Sequence, residues 1–198
     1  MLEISHAARR VMSLPSAQAA SGAGASESVV IRPLPAQARF SLRLHADEAA
    51  SVGAAAGFRL HMPINRRVGT AEQSATRLGP NEWLLIGPDG DADLIAGGIE
   101  AALAGRFHAL VDISHRNVGI QVSGPRAADV LNSGCPLDLA EAAFPAGMAT
   151  RTLLGKAEIV LMRLDDTPTY QVECWRSFST YVHDYLSEAA REFAPSAP

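Results

Sequence analysis

Four carboxylates in one stretch of the sequence have a spacing that could bind calcium. Asp89, Asp91, Asp93 and Glu100 occupy the first, third, fifth and twelfth positions of a calcium-binding loop, where side-chain oxygens ligate the ion. The sixth position of such a loop requires glycine for a sharp turn, and this chain has Leu94 there. The dipole of a helix also favours acidic side chains in its first turn. The stretch therefore predicts the start of a helix rather than a calcium site.

The cysteines and histidines lack the spacing of metal ligands or of a catalytic pair. Cys135 and Cys174 form no CxxC motif, and none of the six histidines has a second histidine four residues away. Ser114 and His115 are adjacent, but neighbouring side chains on a strand point to opposite faces. Cys135 follows a predicted helix end and is interpreted as a packed small hydrophobe. The sequence thus predicts no catalytic, cofactor-binding or metal-binding residue in this chain.

Two short segments carry residue types that are common in protein interfaces. Trp175 and Arg176 precede the last predicted helix, and tryptophan and arginine dominate interface hot spots. The polar residues from His115 to Asn117 interrupt an apolar strand, which is costly when they are buried without partners and useful when they face another chain. We therefore predict partner contacts at His115, Arg116, Trp175 and Arg176. A half-buried aromatic beside a solvated arginine, and a plain edge loop, are the competing interpretations.

Hydrophobic periodicity places these residues on a succession of strands and helices. Predicted strands lie at 40–44, 82–87, 109–113, 118–122, 157–164 and 170–175, and predicted helices at 47–56, 92–103, 125–133 and 178–193. Both halves run from a strand through a helix and an irregular segment to a further strand and helix. This order predicts an α+β fold built of two related strand-helix-strand halves with mixed sheets.

The composition of the first residues predicts an arm ahead of the folded part. Residues 16–28 are small or polar and cannot bury enough surface to offset the entropy of ordering them. We expect a partly flexible N-terminal arm over residues 1–38 and a C-terminal tail over residues 195–198. Between them we expect a single domain over residues 39–194, with its two halves at 39–106 and 107–194.

Charge and hydropathy restrict the kind of partner. The formal net charge is -4, and no run of lysine or arginine is present, which argues against nucleic acid as a partner. No window approaches the roughly 20 apolar residues of a membrane span, and the first residues lack the apolar stretch of a secretory signal. Free cysteines suit a reducing compartment. We therefore expect a cytoplasmic protein that contacts neither nucleic acid nor a membrane.

An ordered set of motifs resembles the gamma subunit of heterotetrameric sarcosine oxidase. The motifs are LGPNEWLL at 78–85, VDISHRNVGIQVSGPR at 111–126, GCPLDL at 134–139, FP at 144–145, RTLL at 151–154, KAE at 156–158 and VECWRSF at 172–178. That family is in turn similar to the folate-binding domain of aminomethyltransferases. The resemblance therefore implies an α+β fold of that kind.

The resemblance also implies a role within a larger complex. Such a complex oxidises sarcosine to glycine, passes the one-carbon unit to tetrahydrofolate and forms hydrogen peroxide. It implies alpha, beta and delta subunits as partners, with FAD, FMN, NAD, tetrahydrofolate and zinc carried by those other subunits and no cofactor in this chain. The resemblance thus implies that this chain is a non-catalytic structural subunit.

Two further functions are open at this point. The first is a stand-alone folate-binding or aminomethyltransferase-like protein, in which Glu158 takes the place of the acidic residue that positions the folate amine in aminomethyltransferases. The second is a scaffold that associates with its own copy through the surface bearing tryptophan and arginine. Binding of tetrahydrofolate and the mass of the chain in solution separate these functions from the structural subunit.

Overall fold

The computed structural model describes residues 28–193, which divide into two compact units. The first unit comprises residues 36–115, and the second combines residues 28–35 with residues 116–193. The strands are β1 (Val30–Pro33), β2 (Gln37–Leu44), β3 (Ala54–Ala55), β4 (Phe58–Arg59), β5 (Arg66–Gly69), β6 (Ser74–Gly79), β7 (Glu82–Pro88), β8 (His108–Asp112), β9 (Asn117–Ser123), β10 (Ala149–Leu154), β11 (Ala157–Arg163) and β12 (Thr169–Trp175). The helices are α1 (Ala46–Val52), α2 (Ala92–Ala102), α3 (Ala127–Asn132) and α4 (Ser179–Ala190).

The first unit is built on a five-stranded antiparallel sheet in the order β5-β6-β7-β2-β8. Alternate residues of β2 are buried, because successive side chains of a strand point to opposite faces. Phe40 and Leu42 join Leu85 of β7 and Ile99 of α2 in one apolar core. The helix α2 therefore covers one face of this sheet.

Trp83 is the largest fully buried side chain of the first unit. Its indole Nε1 donates a hydrogen bond of 3.1 Å to the carbonyl of Leu60, and the guanidinium of Arg77 lies 5.0 Å from the ring centroid. The polar atom of a buried indole needs such a partner, because an unpaired donor in the interior is costly. Trp83 thus fixes β7 to the segment that follows the β3–β4 hairpin.

The second unit is built on another five-stranded antiparallel sheet, in the order β1-β9-β12-β11-β10. The helices α3 and α4 contribute Val130 and Leu186 to a core that contains Ile120, Leu161 and Val172 from the three central strands. Strand β1 is far from β9 in sequence but pairs with it from Val30 to Pro33. The second unit is therefore assembled from two separate stretches of the chain.

A buried arginine ties two loops of the second unit to its sheet. Arg163, at the end of β11, donates to the carbonyl of Phe144 at 3.0 Å and to the carbonyl of Asp166 at 3.3 Å. Its own backbone exchanges hydrogen bonds with Gly147 and Met148. Because buried carbonyls require donors, the Arg163 guanidinium stabilises a loop without regular secondary structure.

Two tyrosines of α4 hold the turns at its side. The Tyr185 hydroxyl donates to the carbonyl of Ser133 at 2.8 Å, and the Tyr181 hydroxyl accepts from the backbone N–H of Lys156 at 3.1 Å. Gly155 has φ +56°, and a Cβ there would lie 2.3 Å from the Tyr181 oxygen. A side chain at this turn is therefore excluded both by backbone strain and by the tyrosine.

Several elements differ from the sequence-based expectations. Helix α1 ends with Gly53 at φ +72°, whereas Gly57 was the expected end and instead lies in the turn of the β3–β4 hairpin. Strand β1 lies inside the segment expected to form the arm. Every strand pair in the two large sheets is antiparallel, although mixed sheets were expected. Half of these pairs are hairpins, and strands joined by a short hairpin can only be antiparallel.

The boundary between the two units also differs from the expected halves. Strand β8 pairs with β2, so residues 107–115 belong to the first unit. The predicted arm and tail lie mostly outside the described residues, at 1–27 and 194–198. No helix among residues 28–193 is long and apolar enough to cross a membrane.

Candidate partner-contact surface

The stretch with calcium-loop spacing is helical. Asp89–Asp91 form a 3-10 turn that leads into α2, and Asp93 lies in the first turn of that helix. Glu100, toward the other end of α2, is paired with His108 at 3.1 Å. Within residues 28–193, no three or more histidine, cysteine or acidic side chains group together to hold a metal ion. The prediction of a helix at this position is confirmed.

Both cysteines are buried thiols in the core of the second unit. The Cys135 Sγ lies 3.9 Å from the hydroxyl of Thr152. Cys135 follows the end of α3, and Cys174 belongs to β12. Both side chains therefore serve as small apolar packing groups, as interpreted for Cys135 from the sequence.

Trp175 lies at the end of β12 with 45% of its surface exposed. The antiparallel register places it opposite Asn117, the first residue of β9. The Arg116 guanidinium lies 5.6 Å from the indole centroid, and the ring of Phe178 lies 6.5 Å away on a tilted plane. A cation near the face of an indole is attracted by the ring quadrupole, so Arg116 and Trp175 stabilise each other's position.

The predicted contact residues are only partly brought together. The backbone N–H of Arg176 donates to the carbonyl of Arg116 at 2.7 Å, which joins the end of β12 to the residue preceding β9. Arg116 also donates from Nε to the Asn117 side chain at 3.1 Å. His115 is exposed and is the last residue of the first unit. Arg116, Trp175 and Arg176 therefore form one cluster in the second unit.

The same end of the second sheet carries further exposed apolar residues. Leu153 at the end of β10 is 50% exposed, and Phe178 in the 3-10 turn after β12 is 38% exposed. Leu154 pairs with Ala157, so the β10–β11 turn lies at this end as well, beside Lys156. We call this surface the cationic rim. It consists of Arg116, Leu153, Lys156, Trp175, Arg176 and Phe178.

The three cations of the cationic rim have no ion-pair partner in the part of the chain that the structure describes. Arg116, Lys156 and Arg176 form no ion pair with any carboxylate of residues 28–193. Glu158 lies opposite Leu153 at this end of the sheet and is paired with Arg151 at 3.5 Å, so this exposed pair adds no net charge to the surface. The rim therefore combines uncompensated positive charge with exposed apolar side chains. That combination is typical of a surface that contacts another protein.

Sequence reasoning missed half of the cationic rim. Phe178 was the first residue of the helix predicted at 178–193, but α4 begins at Ser179, and Phe178 precedes it and is 38% exposed. Leu153 and Lys156 belong to a strand and turn that the apolar pattern did not predict. The one available signal was that Lys156 is the chain's single lysine.

Comparison with known proteins identifies relatives over most of the chain. The model of the sarcosine oxidase gamma subunit family matches residues 44–192. The gamma subunit of sarcosine oxidase from Arthrobacter sp. is 32% identical over 182 residues, covering 90% of this chain and 88% of that protein. The corresponding subunit from Corynebacterium sp. strain P-1 is 33% identical over 146 residues, covering 73% of this chain and 70% of that protein.

Two solved structures share the fold. A chain of heterotetrameric sarcosine oxidase from Corynebacterium sp. U-96 has a TM-score of 0.79 and 24% identity, covering 92% of this chain and 95% of that one. Glycine cleavage system aminomethyltransferase T from Bartonella henselae has a TM-score of 0.62 and 12% identity, covering 84% of this chain and 50% of that one. The expected α+β fold of this kind is confirmed.

Proposed function

This chain belongs to the sarcosine oxidase gamma subunit family, and from that premise we propose that it is a non-catalytic structural subunit of a heterotetrameric sarcosine oxidase. Its partners are the alpha, beta and delta subunits of that complex. The complex oxidises sarcosine to glycine, passes the one-carbon unit to tetrahydrofolate and forms hydrogen peroxide. This chain takes part in the activity by stabilising its neighbours.

The observation that carries the proposal is the half-exposed Trp175 in the cationic rim. An exposed indole lacks a few kcal/mol of the free energy that its burial would provide, and tryptophan and arginine are both enriched among interface hot spots. We assign partner contact to Arg116, Trp175 and Arg176, and to His115, which is exposed nearby in sequence. Contact through these residues gives the chain a structural task that requires no active site.

The cofactors of the complex belong, in this proposal, to the other subunits. FAD, FMN, NAD, tetrahydrofolate and zinc are the groups concerned. Glu158, the acidic residue that the resemblance offers for folate, is a half-exposed ion-pair partner of Arg151. We propose a cytoplasmic location, and the free thiols of Cys135 and Cys174 are compatible with a reducing compartment.

Alanine substitution in the contact surface is expected to weaken assembly more than folding. We expect Trp175→Ala to weaken the affinity for the partner by about thirtyfold, which corresponds to the roughly 2 kcal/mol of a hot-spot residue. Arg116→Ala, Arg176→Ala and His115→Ala should have smaller effects in the same direction. The free energy of unfolding of the isolated chain should change by less than about 1 kcal/mol, because His115, Arg116 and Trp175 are exposed and Arg176 is only half-buried.

The measurement is co-expression of the tagged chain with the other three subunits, followed by size exclusion and absorbance of the flavin. Wild-type chain that never co-elutes with a flavoprotein contradicts the proposed function. If the variants unfold more easily but assemble normally, these residues stabilise the fold and do not contact a partner.

Tetrahydrofolate provides a test of the stand-alone alternative. A ligand that binds only the native state raises the melting temperature, by an amount that grows with ligand concentration above Kd. We expect no rise for the isolated chain at saturating tetrahydrofolate. A clear rise that Glu158→Gln abolishes supports a folate-binding protein instead, and Glu48→Gln, at another partly exposed ion-paired glutamate, is the matched control.

A further inference from the structure

We infer that the cationic rim docks against a face of a larger subunit of the complex where carboxylates surround an apolar pocket that receives Trp175. This inference rests on the proposed function and adds the chemistry of the partner surface. It follows from three properties of the rim: its exposed apolar area, its fixed geometry and its uncompensated charge.

The apolar part of the rim is concentrated at one place. Leu153, Trp175 and Phe178 are among the few large apolar side chains with more than a third of their surface exposed, and all three lie at the same end of the second sheet. Trp175 and Phe178 are also in contact with each other. Single exposed apolar residues need no explanation, whereas a cluster that includes tryptophan indicates a surface that is covered in the assembled protein.

The rim is held in shape before any partner binds. The backbone of Arg176 is bonded to Arg116 at 2.7 Å, and the Ser179 hydroxyl donates to the carbonyl of Arg176 at 2.7 Å at the start of α4. The backbone of Lys156 is bonded to the Tyr181 hydroxyl. A surface whose backbone is already ordered loses little entropy on association, so its contacts contribute fully to affinity.

The charge of the rim selects the partner. Three cations, Arg116, Lys156 and Arg176, have no carboxylate partner among residues 28–193, although the chain as a whole has a formal net charge of -4. Buried without opposite charges, these groups would cost several kcal/mol, so the partner must supply carboxylates around the pocket. Arginine suits this task, because its planar guanidinium binds a carboxylate with two parallel hydrogen bonds.

The same charge argues against a second copy of this chain as the occupant. Two copies that meet through the cationic rim bring arginine and lysine of one protomer toward arginine and lysine of the other. Such like-charge contact is unfavourable by several kcal/mol at an interface. A partner of different sequence and opposite charge fits the rim better than its own copy.

The single lysine of the chain allows a direct test. Lys156 is the only lysine, so zero-length carbodiimide coupling through a lysine of this chain can occur only in the rim. In the assembled complex we expect coupled peptides that join Lys156 to aspartate or glutamate of a larger subunit, identified by mass spectrometry. Lys156→Arg keeps the charge and should keep assembly but lose these peptides. A complex in which Lys156 couples to nothing and reacts with an acetylating reagent as fast as in the isolated chain overturns the inference.

Charge reversal provides the second test. A chain carrying Arg116→Glu, Lys156→Glu and Arg176→Glu should yield at least about tenfold less complex on co-expression, and wild-type complex should dissociate faster as NaCl rises from about 0.05 to 0.5 M. Arg59→Glu reverses an exposed cation of the first unit and should behave like wild type. Gln in place of Glu at the three positions should give an intermediate yield, and circular dichroism of each isolated chain checks its folding.

The outcomes separate this inference from the proposed function. If wild-type chain co-elutes with no flavoprotein, both fall. If wild type assembles and the folded triple variant assembles equally well with the same salt dependence, the partner surface is not acidic, and only the inference falls.

Discussion

Replacing Trp83 with alanine is expected to lower the free energy of unfolding by about 3–5 kcal/mol. Trp83 is fully buried in the first unit, and its removal leaves a cavity among Phe40, Leu42 and Leu85, which belong to the same core. The substitution also leaves the Leu60 carbonyl without its 3.1 Å donor. The measurement is urea denaturation of the isolated chain, followed by circular dichroism.

The second tryptophan is the matched control. Trp175 is the chain's only other tryptophan and is half exposed, so Trp175→Ala should cost less than about 1 kcal/mol of stability. Trp83→Phe should fall between the two, because it restores part of the volume but not the hydrogen bond. Equal losses for Trp83→Ala and Trp175→Ala would mean that the exposed indole also supports the fold.

Replacing Arg163 with methionine should lower the free energy of unfolding by about 2–4 kcal/mol. Methionine keeps much of the apolar stem, so the loss measures the guanidinium and its bonds to the Phe144 and Asp166 carbonyls. We expect hydrogen exchange to accelerate most around Gly147 and Met148, whose backbone bonds Arg163. Denaturation together with hydrogen-exchange mass spectrometry measures both effects.

An exposed arginine is the control for Arg163. Arg191 pairs with Glu188 on the surface of the C-terminal segment, so Arg191→Met should cost no more than about 0.5 kcal/mol. Arg163→Lys should recover part of the stability, since an ammonium can bond one carbonyl but cannot reach both with a planar fork. If the Arg163→Met protein is as stable as wild type, a group other than the Arg163 guanidinium stabilises the loop.

The pKa of Tyr170 provides a second readout of the Arg163→Met substitution. Burial raises the pKa of Tyr170 above its ordinary value near 10, and the Arg163 guanidinium lowers it in part. Because the unfolded tyrosine ionises first, stability is unaffected by this group below pH 10 and falls as pH rises above it. Arg163→Met should raise the Tyr170 pKa further, which ultraviolet titration of the phenol measures against Tyr170→Phe.

The elements with strong apolar periodicity could be predicted from the sequence, and the polar ones could not. Strands β7 and β9 and helix α2 lie close to their predicted positions. The apolar run of β7 is continuous, as in a fully buried strand, and the apolar residues of β9 and α2 recur with the period of a strand or helix. Strand β6 buries Ser74 and Thr76, so its buried faces include polar side chains. Strand β10 is an edge strand with Arg151 and Leu153 exposed, and its pattern therefore resembles that of a loop.

The contact surface was predictable in its residue types but not in its assembly. The residue types predicted partner contacts at Trp175 and Arg176, and the polar interruption of an apolar strand predicted one at Arg116. Their adjacency depends on the register that sets Trp175 opposite Asn117, which is a long-range property of the sheet. Lys156 reaches the rim only because β10 and β11 form a hairpin whose turn lies at the same end.

The split composition of the second unit has a consequence for synthesis on the ribosome. The first unit is continuous from residue 36 to residue 115, so its sheet can close while the remaining chain is still being translated. Strand β1 emerges earlier but has no partner until β9 follows, and β9 in turn needs β12, near the C-terminal end of the described chain. Once residues 36–115 have left the exit tunnel of the ribosome, the nascent chain therefore presents one complete sheet and strand β1 without its partner.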